Sequence, residues 1–146
     1  MTAYAFSDVV AVITGPGGSF QLGSGSGAAD EGIVLEMVED KNTMTIGADG
    51  TPMHSLHAGK GGTITVTLLK TSPSNSLLMA MYDTQTTSSA YWGSNTIVIT
   101  QVASGDVATA RQVAFKRAPN SSYAKDAGTM AWQFDCGQVD RLLGLY

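Results

Sequence analysis

Residues 40–70 constrain the fold most, because they hold three short β-type runs separated by two turn signals. Asp49-Gly50 suits a tight hairpin turn, since both residues tolerate positive φ there. A second break follows at residues 59–62, which include three glycines. In residues 63–68 apolar side chains alternate with threonines, the pattern of a strand with one apolar and one hydroxyl face. The order of the runs predicts a meander whose first two strands form a hairpin over residues 40–57.

The predicted hairpin is too polar for a core and too apolar for a solvated loop. Its methionine, isoleucine and leucine side chains lie among Asn, Thr, Ser and His. Such a hairpin needs a second surface to lie against, and another copy of the chain can supply one. We therefore expect a subunit interface formed by Thr43, Met44, Thr45, Ile46, Met53, His54, Leu56 and His57.

One short helix is predicted at about residues 73–84. Ser72 is a suitable N-cap, and Pro73 suits the first helical position. Four apolar side chains recur on one side at helical spacing, namely Leu77, Leu78, Met81 and Tyr82. This stripe is expected to pack on a sheet or to plug the end of a barrel.

The remaining periodic segments predict strands, among them residues 33–38, 96–102, 107–115 and 130–136. Val107, Val113 and Phe115 are expected to share one face of their strand. Together with the hairpin these runs give about eight or nine strands, spaced as in an all-β sandwich or barrel. We predict a mainly β fold, an antiparallel β-sandwich or small barrel with one flanking helix and a long protruding hairpin, in a single domain of residues 1–146.

Composition narrows the class of function. Of 146 residues only 14% are charged, against about 25% in typical soluble domains. The surface is therefore rich in hydroxyl and amide side chains or is covered by partners. The net charge is −4, and no basic cluster exceeds Lys116-Arg117, which argues against a nucleic-acid binder or a polybasic membrane signal. The N-terminus lacks a basic segment before its apolar run, which predicts synthesis and folding in the cytoplasm.

Candidates for chemistry are few. His54 and His57 are three residues apart on a predicted strand, so their side chains point to opposite faces and do not share a metal. Cys136 follows Phe134 on an apolar face and is expected in the core. Residues 23–27 are rich in glycine but lack the lysine and the helix of a phosphate loop. With acids scattered along the chain, we predict no catalytic residue, cofactor or metal, and no enzyme activity.

Several strings of residues resemble those of tail tube proteins of contractile-tailed bacteriophages, over essentially the whole chain. The strings identify a family better than a mechanism. They are AVITGPGGSF (residues 11–20), EDKNTMTIGADG (39–50), MHSLHA (53–58), LKTSP (69–73), RQVAF (111–115) and YAKD (123–126).

The resemblance implies the fold of phage tail tubes and type VI secretion tubes. It further implies that six copies form a ring with a β-lined channel, and that rings stack into a tube inside a contractile sheath. In such a family an extended hairpin reaches the neighbouring ring, and residues 40–57 are the matching segment. The implied partners are other copies of the chain, the sheath protein, and baseplate, tail-terminator and tape-measure proteins. The resemblance also implies that DNA passes through the lumen without specific binding, that no membrane is involved, and that the protein is a virion component assembled in the host cytoplasm.

Two alternatives remain open from the sequence. The first is a monomeric β-sandwich binding module of a phage particle, recognising glycans or a host surface through Tyr91, Trp92 and Trp132. The second is a hydrolase that uses two of the scattered carboxylates. Glycan binding without assembly favours the first, and turnover abolished by a single Asp or Glu substitution favours the second.

Overall fold

The computed structural model describes residues 3–145, which form nine β-strands and one α-helix. In chain order the elements are β1 (Val9–Gly15), β2 (Gly18–Gln21), β3 (Ala28–Met37), β4 (Asn42–Ile46), β5 (Pro52–Leu56), β6 (Gly62–Leu69), α1 (Pro73–Gln85), β7 (Asn95–Gln101), β8 (Asp106–Arg117) and β9 (Thr129–Leu142). Two 3-10 turns, Phe6–Asp8 and Ser89–Tyr91, precede β1 and β7. The predicted number of strands and the single predicted helix are confirmed.

Seven of the strands form one antiparallel sheet that curls into a half-barrel, in the order β2-β1-β7-β8-β9-β6-β3. The chain between β2 and β3 crosses from one side of the curl to the other. The N–H of Leu22 donates to the carbonyl of Ala11 over 2.7 Å, and the N–H of Leu69 donates to the carbonyl of Gly27 over 2.9 Å. The fold is thus mainly β and antiparallel, as predicted, with one curled sheet of the barrel type.

An aromatic cluster fills the inside of the curl. Phe115, Trp132 and Phe134 are at most 2% exposed. The ring centroid of Phe115 lies 4.9 Å from that of Phe134, 6.0 Å from that of Trp132 and 5.5 Å from that of Tyr82. Such pairs contribute about 0.5–1.5 kcal/mol each beyond the burial of their surface. The cluster joins the middle of the sheet to α1, which carries Tyr82.

Val107 does not share a face with Val113 and Phe115, which corrects the prediction for β8. Gln112 has a φ of +53°, and the pairing of β7 with β8 shifts register nearby. The extra residue of this bulge inverts the alternation of side chains. Ala110 and Val113 are therefore both buried although they are three residues apart, and Val107 lies on the outer face.

The helix α1 is confirmed to within one residue of its predicted end. Its N-cap is Ser72, whose side-chain Oγ accepts a hydrogen bond of 3.2 Å from the N–H of Ser74. Leu78 and Met81 are fully buried, as the apolar stripe predicts. Leu77 is 46% exposed, because it lies at the edge of the stripe and faces away from the sheet.

The predicted meander is wrong, since β5 does not pair with β6. Strand β6 lies between β3 and β9, with Val66 opposite Ile33 and Ile64 opposite Phe134. Both hydrogen-bonding edges of β6 are therefore occupied by other strands. β4 and β5 pair only with each other and form a separate two-stranded sheet.

The half-barrel has two unlike ends. At the hairpin end β3 stops and β6 starts on either side of the β4–β5 hairpin, beside the late residues of β9. At the opposite, helix end, α1 crosses the opening of the curl. The indole N–H of Trp132 donates to Asn75 near the start of α1 over 3.0 Å, and Nε2 of Gln85 in its last turn donates to the carbonyl of Pro16 over 2.9 Å.

Candidate assembly interface

The β4–β5 hairpin is an exposed arm with a regular antiparallel ladder. Asn42 lies opposite Leu56, Met44 opposite His54, and Ile46 opposite Pro52. Every residue from 36 to 54 is exposed. A hairpin this short is marginal by itself in water, because it buries little apolar surface.

The ladder sorts the predicted interface residues into two faces, because residues directly opposite each other share a face. One face is mainly apolar and carries Met44, Ile46, His54 and Leu56, together with Pro52. The other face carries Thr43, Thr45 and Met53. Met44, Ile46 and Leu56 are 53%, 61% and 83% exposed. We define these three side chains as the arm's apolar face; the sequence alone did not separate them from the hydroxyl face.

The two histidines bond to residues on opposite faces of the arm, as predicted. Nδ1 of His54 lies 3.2 Å from the side-chain amide nitrogen of Asn42, and Nε2 of His57 lies 2.7 Å from Oγ1 of Thr43. Each imidazole therefore braces β4 against β5. Within residues 3–145, no group of three or more His, Cys, Asp or Glu side chains is arranged to hold a metal ion.

The tip of the arm is a tight turn at the predicted Asp49-Gly50. Gly50 has a φ of +87°, a conformation that suits glycine. The N–H of Gly47 donates to the carbonyl of Thr51 over 2.9 Å, and the N–H of Thr51 donates to the carboxylate of Asp49 over 3.1 Å. Hydrogen bonds from the backbone and then the side chain of Thr51 lower the pKa of Asp49, so the turn carries a negative charge at neutral pH.

The base of the arm is fixed to the sheet. The N–H of His57 donates to the carbonyl of Lys41 over 2.9 Å, and Nζ of Lys41 donates to the carbonyl of Gly59 over 2.9 Å. The N–H of Val38 donates to the carbonyl of Gly61 over 3.1 Å, which continues the pairing of β3 with β6. The arm thus leaves the sheet in a defined direction.

A second exposed apolar surface lies along the edge strand β3. A groove of about 520 Å³ separates the edge strand β3 from the ends of β7, β8 and β9. Its lining includes Tyr4, Phe6, Ile99, Leu142 and Leu143. Tyr4, Leu142 and Leu143 are 62%, 68% and 77% exposed. The groove and the arm's apolar face are therefore two contiguous sets of exposed apolar side chains, of the kind that marks interaction surfaces.

The aromatic side chains considered as glycan platforms are separated in the fold. Trp132 has no exposed surface, so it cannot stack on a sugar. Tyr91 and Trp92 are 46% and 40% exposed at the helix end, where the Trp92 ring packs edge-on to Tyr82 at 6.2 Å. Because Trp132 is buried, the three aromatic rings do not form a common sugar-binding platform.

Comparison with known families shows the family of the chain. The sequence profile of the family described as bacteriophage PhiTE tail tube protein matches residues 1–144. The chain belongs to this phage tail tube family. The resemblance drawn from the residue strings is confirmed, and this tail tube protein is a structural subunit of a phage tail and a component of the virion.

Solved structures share the fold at very low sequence identity. A chain of the cryo-EM structure of an extracellular contractile injection system, the PVC sheath-tube complex in its extended state, has a TM-score of 0.57 and 8% identity, covering 91% of this chain and 88% of that one. A chain of the anti-feeding prophage cap, described as the AFP tube terminating cap, has a TM-score of 0.51 and 9% identity, covering 99% of this chain and 95% of that one. A search of curated protein sequences finds no match.

A membrane-spanning helix is not found in the part of the chain that the structure describes. Its helices are too short or too polar to cross a bilayer.

Proposed function

We propose that this tail tube protein forms the inner tube of a contractile phage tail. Six copies close into a ring, rings stack into a tube inside the sheath, and DNA passes through the lumen during ejection. Assembly takes place in the host cytoplasm, and the tube meets baseplate, tail-terminator and tape-measure proteins. The observation that carries the proposal is the family match over residues 1–144, on a chain whose hairpin pairs with no strand of the main sheet.

The arm is proposed to be the contact between rings. Seven of its eight candidate residues lie on a ladder that the rest of the chain leaves exposed, and the eighth, His57, is half-buried directly after β5. Burying its apolar side chains against another subunit contributes about 1.5–3 kcal/mol for each fully covered residue. A heterologous contact of this kind propagates from one ring to the next and gives a tube.

The outer face of the sheet is proposed to line the channel. Glu36 lies opposite Thr63, and Thr63 lies opposite Asp135, so these three side chains share that face across β3, β6 and β9. Hydroxyl and carboxylate groups repel or release phosphate rather than hold it. The net charge of −4 supports the same conclusion, because DNA must slide past the tube without binding.

Imaging of the purified protein tests this proposal. Negative-stain electron microscopy is expected to show rings of six copies and rods of stacked rings, with a matching mass from light scattering. A strictly monomeric protein at high concentration would contradict it.

A further inference from the structure

The charges of this chain are divided unequally between the two ends of the half-barrel. The helix end comprises α1 and the loops and strand ends beside it, and it has a net charge of +2. Its charged residues are the four bases Lys70, Lys116, Arg117 and Lys125 and the two acids Asp83 and Asp126.

The hairpin end comprises the arm and the strand ends beside it, and it has a net charge of −2. Its charged residues are the six acids Asp8, Glu39, Asp40, Asp49, Asp106 and Asp140 and the four bases Lys41, Lys60, Arg111 and Arg141. The other four acids, Asp30, Glu31, Glu36 and Asp135, lie further along the strands, with Glu36 and Asp135 on either side of Thr63.

Ion pairs within the chain occupy cations at the hairpin end but not at the helix end. At the hairpin end Lys60 lies 3.6 Å and Arg111 4.0 Å from the carboxylate of Asp140. Lys116, Arg117 and Lys125, by contrast, are exposed and make no ion pair with the described residues. The helix-end cations are therefore available to carboxylates of another molecule.

Exposed apolar side chains accompany the charges at both ends. The hairpin end carries the arm's apolar face. The helix end carries Leu77, Met79, Tyr91 and Trp92, each between 40% and 46% exposed. The hairpin end of one copy is therefore complementary to the helix end of another, because both are partly apolar and their charges are opposite. Two hairpin ends, or two helix ends, carry like charges and repel each other.

We propose that the helix end is the docking surface for the hairpin end of a second copy, and that their opposite charges set the polarity of stacking. This inference rests on the proposed stacking of rings and adds its receptor surface and its chemistry. Acids of the arm and its base, above all Glu39, Asp40 and Asp49, face the cations Lys116, Arg117 and Lys125 of the next subunit. Exposed ion pairs are individually weak and screened beyond about 8 Å at physiological salt, so the charges act mainly on orientation and on the rate of docking.

Two charge-reversal variants test the inference. Glu39→Lys/Asp40→Lys makes both ends positive, and Lys116→Glu/Arg117→Glu makes both ends negative. Each variant alone is expected to stack poorly, with rods shortened on the order of tenfold. In an equimolar mixture, opposite charges meet wherever the two variants alternate along the rod, so long rods are expected only from the mixture. Length is measured by negative-stain microscopy and light scattering, after circular dichroism has verified folding.

A matched control separates end charge from total charge. Asp40→Lys and Asp135→Lys make the same change in net charge, but Asp135 lies in the middle of β9, between Thr63 and Ala114. Only Asp40→Lys is expected to shorten the rods. The wild-type protein tests the inference without mutation. Raising the salt from about 0.05 to about 0.5 M shortens the distance over which charges interact, so the rods are expected to become shorter.

The outcomes distinguish this inference from the proposed function. Wild-type rods that are insensitive to salt, or single variants that stack as well as their mixture, overturn the charge-directed contact and leave the tube intact. A wild-type protein that forms neither rings nor rods at any salt concentration overturns both.

Discussion

Gln85 at the end of α1 and Asn95 at the start of β7 exchange two side-chain hydrogen bonds while both are fully buried. Nε2 of Gln85 donates to Oδ1 of Asn95 over 2.7 Å, and Nδ2 of Asn95 donates to Oε1 of Gln85 over 2.8 Å. Gln85 also donates to the carbonyl of Pro16 in the β1–β2 turn. Gly15 is required beside this pair, because a Cβ there would collide with Oδ1 of Asn95. The pair fixes the helix over the end of the sheet.

Gln85→Ala is expected to lower the free energy of unfolding by about 1–3 kcal/mol, because it leaves the buried Asn95 amide without its partner. Asn95→Ala should have a similar effect for the same reason. The double variant should cost less than the sum of the two, since it removes both partners together. Urea denaturation of all four proteins measures this coupling, and strictly additive losses would show that the two bonds do not act as a pair.

Gly137 and Gln112 form a second close contact, at the bulge of β8. A Cβ at Gly137 would lie 2.9 Å from the Cβ of Gln112, so Gly137→Ala is expected to cost about 1–3 kcal/mol of unfolding free energy. Gln112→Gly removes the obstructing side chain and suits the φ of +53° at that position. Adding it to Gly137→Ala should recover part of the loss in thermal or chemical denaturation. If Gly137→Ala is neutral, the bulge is looser than this contact indicates.

The period of the apolar side chains predicted most elements of the fold, and each of the two failures has an identifiable physical cause. The helix, β6, the first half of β9 and the hairpin each keep one period throughout, so their type and faces follow from the sequence. The bulge at Gln112 interrupts the period of β8, and a single residue shift sends Val107 to the outer face. The pairing of β6 with β3 and β9 depends on contacts distant in sequence, which is why the meander prediction is wrong.

The sequence analysis also did not predict the buried polar side chains, because their partners are distant in sequence. Gln85 and Asn75 lie in a helix whose sequence gives no signal that either is inside. Their partners, Asn95 and Trp132, come from strands that only the folded sheet brings near. The candidate interface, in contrast, was predictable as a segment, because its apolar side chains lacked a core within the hairpin itself. Its division into two faces needed the register of β4 with β5.

The buried thiol of Cys136 should make stability depend on alkaline pH. Burial raises its pKa from 9.0 to about 11. Between these values the unfolded chain loses the thiol proton while the folded chain retains it, so the free energy of unfolding falls as pH rises, by at most about 3 kcal/mol. Other groups also titrate in this range, so Cys136→Ala is the comparison. Urea denaturation near neutral pH and at about pH 10.5 should show a smaller loss for the variant, and equal losses would exclude this role for the thiol.

The arm provides the most direct test of assembly. Met44→Asp/Ile46→Asp, or deletion of residues 45–53, is expected to leave a folded protein, because β4 and β5 pair only with each other. Stacking should be lost, because each apolar side chain contributes on the order of 1–3 kcal/mol when a second subunit covers it. The thermal midpoint tests folding, and the length of rods in negative stain tests stacking.

Thr45 supplies the matched control for the arm, since it neighbours Ile46 on β4 but points to the opposite face. Ile46→Asp and Thr45→Asp each place one new carboxylate at an exposed β-branched position. If the arm's apolar face is buried between rings, Ile46→Asp shortens the rods much more than Thr45→Asp does. Equal effects would indicate that added charge, and not the lost apolar contact, disturbs stacking. Normal polymerisation of both the Met44→Asp/Ile46→Asp variant and the deletion would show that the arm is not the contact between rings.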